Sequence, residues 1–206
     1  MRAIVLIQVF FLHMTTDSRQ QARRRQILDA ARLCFRQQGF HGTGMAQIAL
    51  TSRLSVGQIY RSFPSKDAII EALVLDLTAQ KITVIGREDQ ALTRIARELA
   101  WRTLPELMDE EDTDRALFFE IAAEATRNPV VARLLEAMDH RLFTEACRWT
   151  RHHYPQLSEE EVSARVELMA VLTEGTLFRH QTAPKYDAAR LNALYLQLLQ
   201  QLFPES

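Results

Sequence analysis

ILDAARLCFRQQGFHGTGMAQIALTSRLSVGQIYRSFPSKDAIIEAL, residues 27–73, decides the fold. Ile27, Ala30, Ala31, Cys34, Phe35 and Gln38 recur at the spacing of one helical face, and Gly39 follows where a left-handed C-cap belongs. A first helix is therefore expected over residues 19–38. A second, short helix over 45–51 turns Met45, Ile48 and Ala49 inward, and only a few residues separate it from a third that begins after Ser55. Ser55 and Gln58 have capping-box spacing, in which the hydroxyl accepts the N3 amide and the glutamine reaches back to the N-cap. Phe63 and Pro64 end the third helix. Ser65 caps a fourth, which runs to about residue 83, and Asp67 places a carboxylate in its first turn, where the helix dipole favours it.

This stretch is also where the charge lies. The 206-residue chain has a net charge of −1, yet Met14–Lys66 holds nine basic side chains (Arg19, Arg23, Arg24, Arg25, Arg32, Arg36, Arg53, Arg61, Lys66) against Asp17 and Asp29, a net +7. A basic segment joined to an acidic body suggests that one part meets a polyanion. Three short helices with a tight link between the second and third describe a helix-turn-helix, whose third element can lie in a DNA major groove; an ordinary helical bundle is the bland alternative. Lys66 opens the fourth helix, where a cation is electrostatically unfavourable and an incoming phosphate would be welcomed.

Outward from this segment the chain stays helical. It is rich in Ala, Leu, Arg, Glu and Gln, poor in Gly and Pro, and without alternating β-branched runs. Five further helices are expected, over 88–104, 113–127, 129–153, 159–180 and 187–203. Asn128 with Pro129 reads as an N-cap and N1 pair, Ser158 with Glu161 as a second capping box, and Pro184 precedes the start at Asp187. Cys34 and Cys147 lie far apart on apolar faces, which fits a reducing cytoplasm; a redox sensor is the alternative. Residues 1–13, MRAIVLIQVFFLH, resemble a short signal-peptide core, but the apolar run is too short to span a bilayer and no small-x-small cleavage site follows. Residues 1–18 are read as an N-terminal extension, disordered or preceding a true start at Met14, with an anchor as the alternative.

The stretch 27–73 resembles the N-terminal domain of TetR-like (tetracycline-repressor-like) transcriptional regulators. ILDAA and Gly39-Phe40 are similar to that family's first helix and its end, Ile48 and Ala49 to its second-helix core, and SVGQIYRSFPSKD to its recognition helix and exit. The resemblance implies that Tyr60 and Lys66 contact phosphates and that Thr43 and Gly44 set the start of helix two against the DNA backbone. Ser55, Val56, Gly57, Gln58 and Arg61 would face the groove. Gly57 would allow close approach, Gln58 would pair with adenine or remain occupied as a cap, and Arg61 would reach guanine or phosphate. Two departures stand out: Thr43-Gly44 replaces a Thr-Thr or Thr-Ser pair, and Ser52-Arg53-Leu54 replaces Ala-Gly-Val. Arg53 at a turn-glycine position costs up to about 1 kcal/mol if φ must be positive, or else adds a phosphate contact. Arg23, Arg24 and Arg25 either lay an arm on the DNA backbone or form a solvated charge run.

The architecture implied is all-α: a helix-turn-helix DNA-binding domain over 19–66 and a helical ligand-binding and dimerisation domain over 67–206. The helix at 159–180 has two apolar stripes, one with Val162, Val166, Met169 and Leu172, the other with Ala164, Leu168, Val171, Gly175 and Phe178. The last helix is broadly apolar through Leu191, Leu194, Tyr195, Leu198, Leu199 and Leu202. Two copies of this helix pair would make a four-helix homodimer contact. Candidate pocket residues are Trp101, Phe118, Phe119, Met138, Phe143 and Trp149, with Glu120 or Glu174 as a polar or cationic anchor; plain core packing is the alternative. His140, His152, His153 and His180 lack metal-ligand spacing, and no nucleophile elbow or phosphate loop is visible, so neither a metal, a cofactor nor catalysis is expected. The reading is a cytoplasmic repressor that binds a double-stranded DNA operator as a dimer and is released by a small-molecule inducer. The rivals are a DNA-binding regulator working through protein partners and, less favoured, a helical enzyme.

Overall fold

The computed structural model describes residues 2–86, 91–103 and 113–204, with side chains from Ser18 onward except those of Thr113 and Asp114. Among them all regular structure is helical: α1 (Arg2–Gly42), α2 (Met45–Ser52), α3 (Val56–Ser62), α4 (Lys66–Ile85), α5 (Leu92–Trp101), α6 (Thr113–Ala125), α7 (Pro129–His153), α8 (Glu159–Arg179) and α9 (Ala188–Leu202). Most starts follow the capping signals. Both boxes close, with the Ser55 and Ser158 hydroxyls accepting the N3 amides while Gln58 and Glu161 reach back. Ser65 Oγ accepts the Ala68 amide at 3.1 Å, Asn128 Oδ1 that of Val130 at 3.0 Å, and Asp187 Oδ1 that of Ala189 at 2.8 Å. The expected first helix differs: α1 begins at Arg2 rather than 19 and takes in the segment expected to be disordered. Neither glycine nor proline occurs before Gly39, so no residue type breaks the helix. The expected ends of the fifth helix, 88–90 and 104, lie outside the described residues.

The chain forms two compact units. The first combines Met1–Leu73 with Glu120–Ala132, and the second combines Val74–Phe119 with Arg133–Ser206. A division at 66/67 thus differs from the one observed, because Ile69, Ile70 and Leu73 in the first turns of α4 are fully buried and belong to the first unit. That unit's core includes the apolar positions read from helical spacing, Ile27, Ala31, Phe35 and Ile48, together with Phe40, Ile59 and Phe63, each at most 2% exposed. The Phe35 and Phe40 rings meet edge to face, 4.6 Å between centroids.

In the second unit α5 packs along α9. Ala96, Leu199 and Phe203 form one buried cluster, Leu99 and Leu177 another, and Cys147, Val162 and Val166 a third. Each leucine so buried contributes about 1.5–3 kcal/mol. Arg102, the left-handed C-cap of α5 (φ 55°), is buried and donates to the Arg179 carbonyl and, at 2.6 Å, to that of Thr182. It thereby satisfies carbonyls at the end of α8, while its guanidinium lies 5.2 Å from the Tyr186 ring centre. Cys147 packs as a small hydrophobe, and burial pushes its thiol above the usual range. The apolar side chains Val171 and Phe178 of α8 and Leu194 of α9 remain 56%, 63% and 63% exposed.

Candidate functional site

The turn between α2 and α3 is built from backbone. The amide of Arg53 donates to the Leu50 carbonyl at 3.1 Å and that of Leu54 to Ala49 at 3.0 Å, closing the end of α2. This closure puts Arg53 at φ 56°, ψ 36°, the left-handed conformation that favours glycine. Ser52, where a resembling chain carries alanine, is buried with its hydroxyl donating to the Ala49 carbonyl at 3.1 Å, so the extra oxygen is satisfied. Arg53 itself points to solvent. Arg53→Gly is expected to raise the unfolding free energy by about 1 kcal/mol, read in urea unfolding; no gain would mean the arginine side chain offsets its own backbone strain.

At the N-cap Ser55 and along α3, Val56, Gly57, Tyr60 and Arg61 are exposed, Val56 at 40% and Tyr60 at 51%, while Ile59 turns into the core. A Cβ added at Gly57 would meet nothing within 4 Å, and the same holds at Gly44. Packing therefore requires glycine at neither place. Gln58 is occupied: its Oε1 accepts from the Ser55 amide at 2.8 Å and from the Ser55 hydroxyl at 3.1 Å. Pairing with adenine would need that oxygen, so it would have to leave the cap. Gly44 starts α2 without a side-chain cap, leaving amide donors there, whereas Thr43 is buried with its hydroxyl donating to the Cys34 carbonyl at 3.1 Å.

Two basic residues and a glutamine hold the unit together. Arg24 donates to the Ser62 carbonyl at 2.7 Å and lies 4.1 Å from the Phe63 ring centre, tying α1 to the end of α3. Arg23 and Arg25 on either side are exposed. Gln26 donates to the Ser52 carbonyl at 2.7 Å. Lys66 donates to the Phe40 carbonyl at 2.5 Å and to that of Thr43 at 3.3 Å, so the cation at the start of α4 already meets negative oxygens within the protein.

A carboxylate pair on α6 completes this unit. Gly39, at φ 68° and ψ 175°, breaks α1 in a conformation open essentially to glycine alone. The freed Phe40 amide donates to Glu120 Oε2 at 3.1 Å. Glu120 was expected at a ligand pocket; its carboxylate instead caps the kink, because Gly39 leaves that amide without a helical acceptor. Four residues on, the buried Glu124 accepts from Arg127 at 2.8 Å and from Asn128 at 3.2 Å, and lies 3.1 Å from His41. Burial alone would raise its pKa, but the Asn128 hydrogen bond and the Arg127 and His41 charges outweigh it and hold the carboxyl below its usual range.

The second unit contains a cavity of about 250 Å³ between α4, α5, α7 and α8. Its walls are mainly apolar, with Ile95, Leu142, Phe143, Trp149, Val166 and Met169 prominent, and it is open to solvent at a rim bearing Asp139, Glu167 and Glu174. Of the pocket candidates read from sequence, Phe143, Trp149 and Glu174 line it. The others lie outside this lining. Met138 is buried, Trp101 is 47% exposed, Phe119 packs edge-on against Phe178 at 6.3 Å, and Phe118 lies 4.9 Å beneath the Lys81 ammonium. Among the described residues no group of His, Cys, Asp and Glu is arranged to hold a metal ion.

Residues 27–73, the span that carries α2, its turn and α3, match the profile of the bacterial regulatory proteins, tetR family. That span therefore carries the N-terminal helix-turn-helix signature of this family. The chain is 33% identical over 133 residues to the HTH-type transcriptional regulator UidR of Escherichia coli K12, a match covering 65% of each chain, so it spans just under two thirds of that relative's length. To the HTH-type transcriptional regulator BetI of E. coli K12 it is 26% identical over 190 residues, 90% of this chain and 96% of BetI. The solved structure of Salmonella enterica GusR superposes with a TM-score of 0.71 at 27% identity, covering 88% of this chain and 95% of that one. Sequence reasoning missed the Arg24, Gln26 and Glu124 contacts. The four-residue spacing of Glu120 and Glu124, with Asn128 four residues further on, was the available signal.

Proposed function

We propose that this chain is a transcriptional regulator that binds an operator as a homodimer and leaves it when a small molecule occupies the cavity of the second unit. The observation that carries the reading is the outward face of α3. Val56 and Tyr60 stay exposed and Gly57 has open space around it, so these positions are not committed to the fold. Tyr60 supplies a hydroxyl to a phosphate, Arg61 a guanidinium to guanine or phosphate, and the uncapped start of α2 at Gly44 its amides to the backbone. Ser55, Val56, Gly57 and Gln58 face the groove, with Gln58 exchanging its cap for a base. Thr43 acts from beneath by fixing the entry to α2. Lys66 has one ammonium donor left for phosphate, and Arg53, Arg23 and Arg25 lie free to reach the duplex.

The exposed Val171, Phe178 and Leu194 on α8 and α9, apolar surface that a second copy would cover, support the dimer. Two copies present two α3 helices to half-sites about 34–36 Å apart. A ligand favouring a different spacing releases the operator, and a coupling of roughly 1–3 kcal/mol, about 5- to 150-fold in affinity, suffices.

The test is a gel shift on DNA upstream of the protein's own gene, across a salt series. A specific, salt-sensitive complex is expected. Tyr60→Phe and Arg61→Ala weaken it, Tyr60→Phe alike on all sequences, whereas Gln58→Ala changes base preference. Absence of any specific complex would remove the reading. Equal loss from Tyr60→Phe and Gln58→Ala on every sequence would remove the role assignments.

A further inference from the structure

The cavity in the second unit is lined by five ionisable side chains, Lys81, Glu98, Asp139, Glu167 and Glu174. Two of these are already compensated. Glu98 lies 3.4 Å from Arg94 one turn earlier on α5, and the Lys81 ammonium faces the Phe118 ring at 4.9 Å. Asp139, Glu167 and Glu174 form no ion pair among the described residues, so three carboxylates line an apolar space in which Lys81 is the one cation to set against them. Glu167 and Glu174 stand seven residues apart on α8 and thus on one face, while Asp139 shares an α7 face with Phe143, Ala146 and Thr150. The lining also contains Phe143, Trp149 and Tyr154, aromatic side chains of the kind that attract a desolvated cation, although Trp149 also stacks on His153 at 3.9 Å and Tyr154 packs on Phe203 at 5.2 Å.

From this geometry we infer that the cavity binds an organic cation with an apolar body, its positive centre held at the rim by Asp139, Glu167 and Glu174 and its body among Phe143, Trp149 and Met169. The inference rests on the cavity being the ligand site of the regulator. An anion of the same shape would meet three like charges, with only an already engaged lysine to offset them. Such rejection of the wrong charge makes the site selective as well as attractive.

The test uses the full-length chain carrying Trp101→Phe, which leaves Trp149 as the sole tryptophan, and three probes of similar size: benzyltrimethylammonium, benzyl alcohol and benzenesulfonate. Saturable quenching of Trp149 by benzyltrimethylammonium is expected, weakening with salt, with little response to the other two. Glu167→Gln and Glu174→Gln should each loosen it about two- to fivefold, the loss typical of one partly exposed charge pair. Equal or tighter binding of benzyl alcohol or benzenesulfonate overturns the cationic class while leaving the cavity as a ligand site. If none of the three binds, the class and the ligand site fall together. Quenching by the ammonium that leaves the operator complex intact in a parallel gel shift upholds the class and removes the cavity's part in regulation.

Discussion

Phe35→Ala is expected to lower the unfolding free energy by about 3–5 kcal/mol and to abolish operator binding at ordinary temperature. Phe35 is fully buried in the first unit, and its ring meets Phe40 edge to face at 4.6 Å. Truncation removes the transfer free energy of the ring, the edge-to-face contact, and the dispersion contacts of atoms left lining a void. Short helices cannot compensate: α2 has eight residues and α3 seven, too few to be stable outside a packed core. Against a total stability of about 5–15 kcal/mol for a typical domain, such a loss leaves the exposed face of α3 poorly fixed. Urea unfolding followed by circular dichroism measures it. Phe35→Leu keeps most of the volume and should cost about 1.5 kcal/mol or less. Equal costs for the two variants would show that the ring's shape, not its burial, is what the core requires.

Gly39→Ala should cost about 3 kcal/mol, from two sources that a double-mutant cycle can separate. The backbone at φ 68°, ψ 175° is itself unfavourable for any residue with a Cβ, by about 1–3 kcal/mol. That Cβ would also come within 3.1 Å of Glu120 Oε2, the oxygen accepting the Phe40 amide, so the carboxylate must move and the hydrogen bond weakens. Measured in the background of Glu120→Ala, the glycine substitution should cost only the backbone share. An unchanged cost in both backgrounds would mean that Glu120 accommodates the methyl group freely.

The contrast between Ser55 and Glu120 shows where the sequence was legible. Ser55 and Gln58 close their box across three residues, and Gly39 ends a helix whose apolar spacing is already visible, so local rules suffice. Glu120 meets an amide 80 residues away, and Lys66 meets carbonyls 26 and 23 residues earlier; nothing in local composition announces such partners. Lys66 is instructive because the physics was sound. A cation at a helix start does need negative oxygens, and carbonyls freed at the end of α1 provide them. In the second unit, composition pointed to aromatic residues without giving the rotation of each helix. Phe143 and Trp149 reach the cavity, while Phe119 packs against Phe178 and Met138 is buried outside the lining.

The capping of Phe40 by Glu120 also constrains the order of assembly. Contacts among α1, α2 and α3 join residues close in sequence and form quickly, whereas this one closes a loop of 80 residues. During synthesis the three N-terminal helices emerge first, with the Phe40 amide still solvated, and that amide gains its carboxylate only once α6 has been made. A fragment ending at Leu73 would therefore keep the recognition surface yet lack the last piece of its own unit.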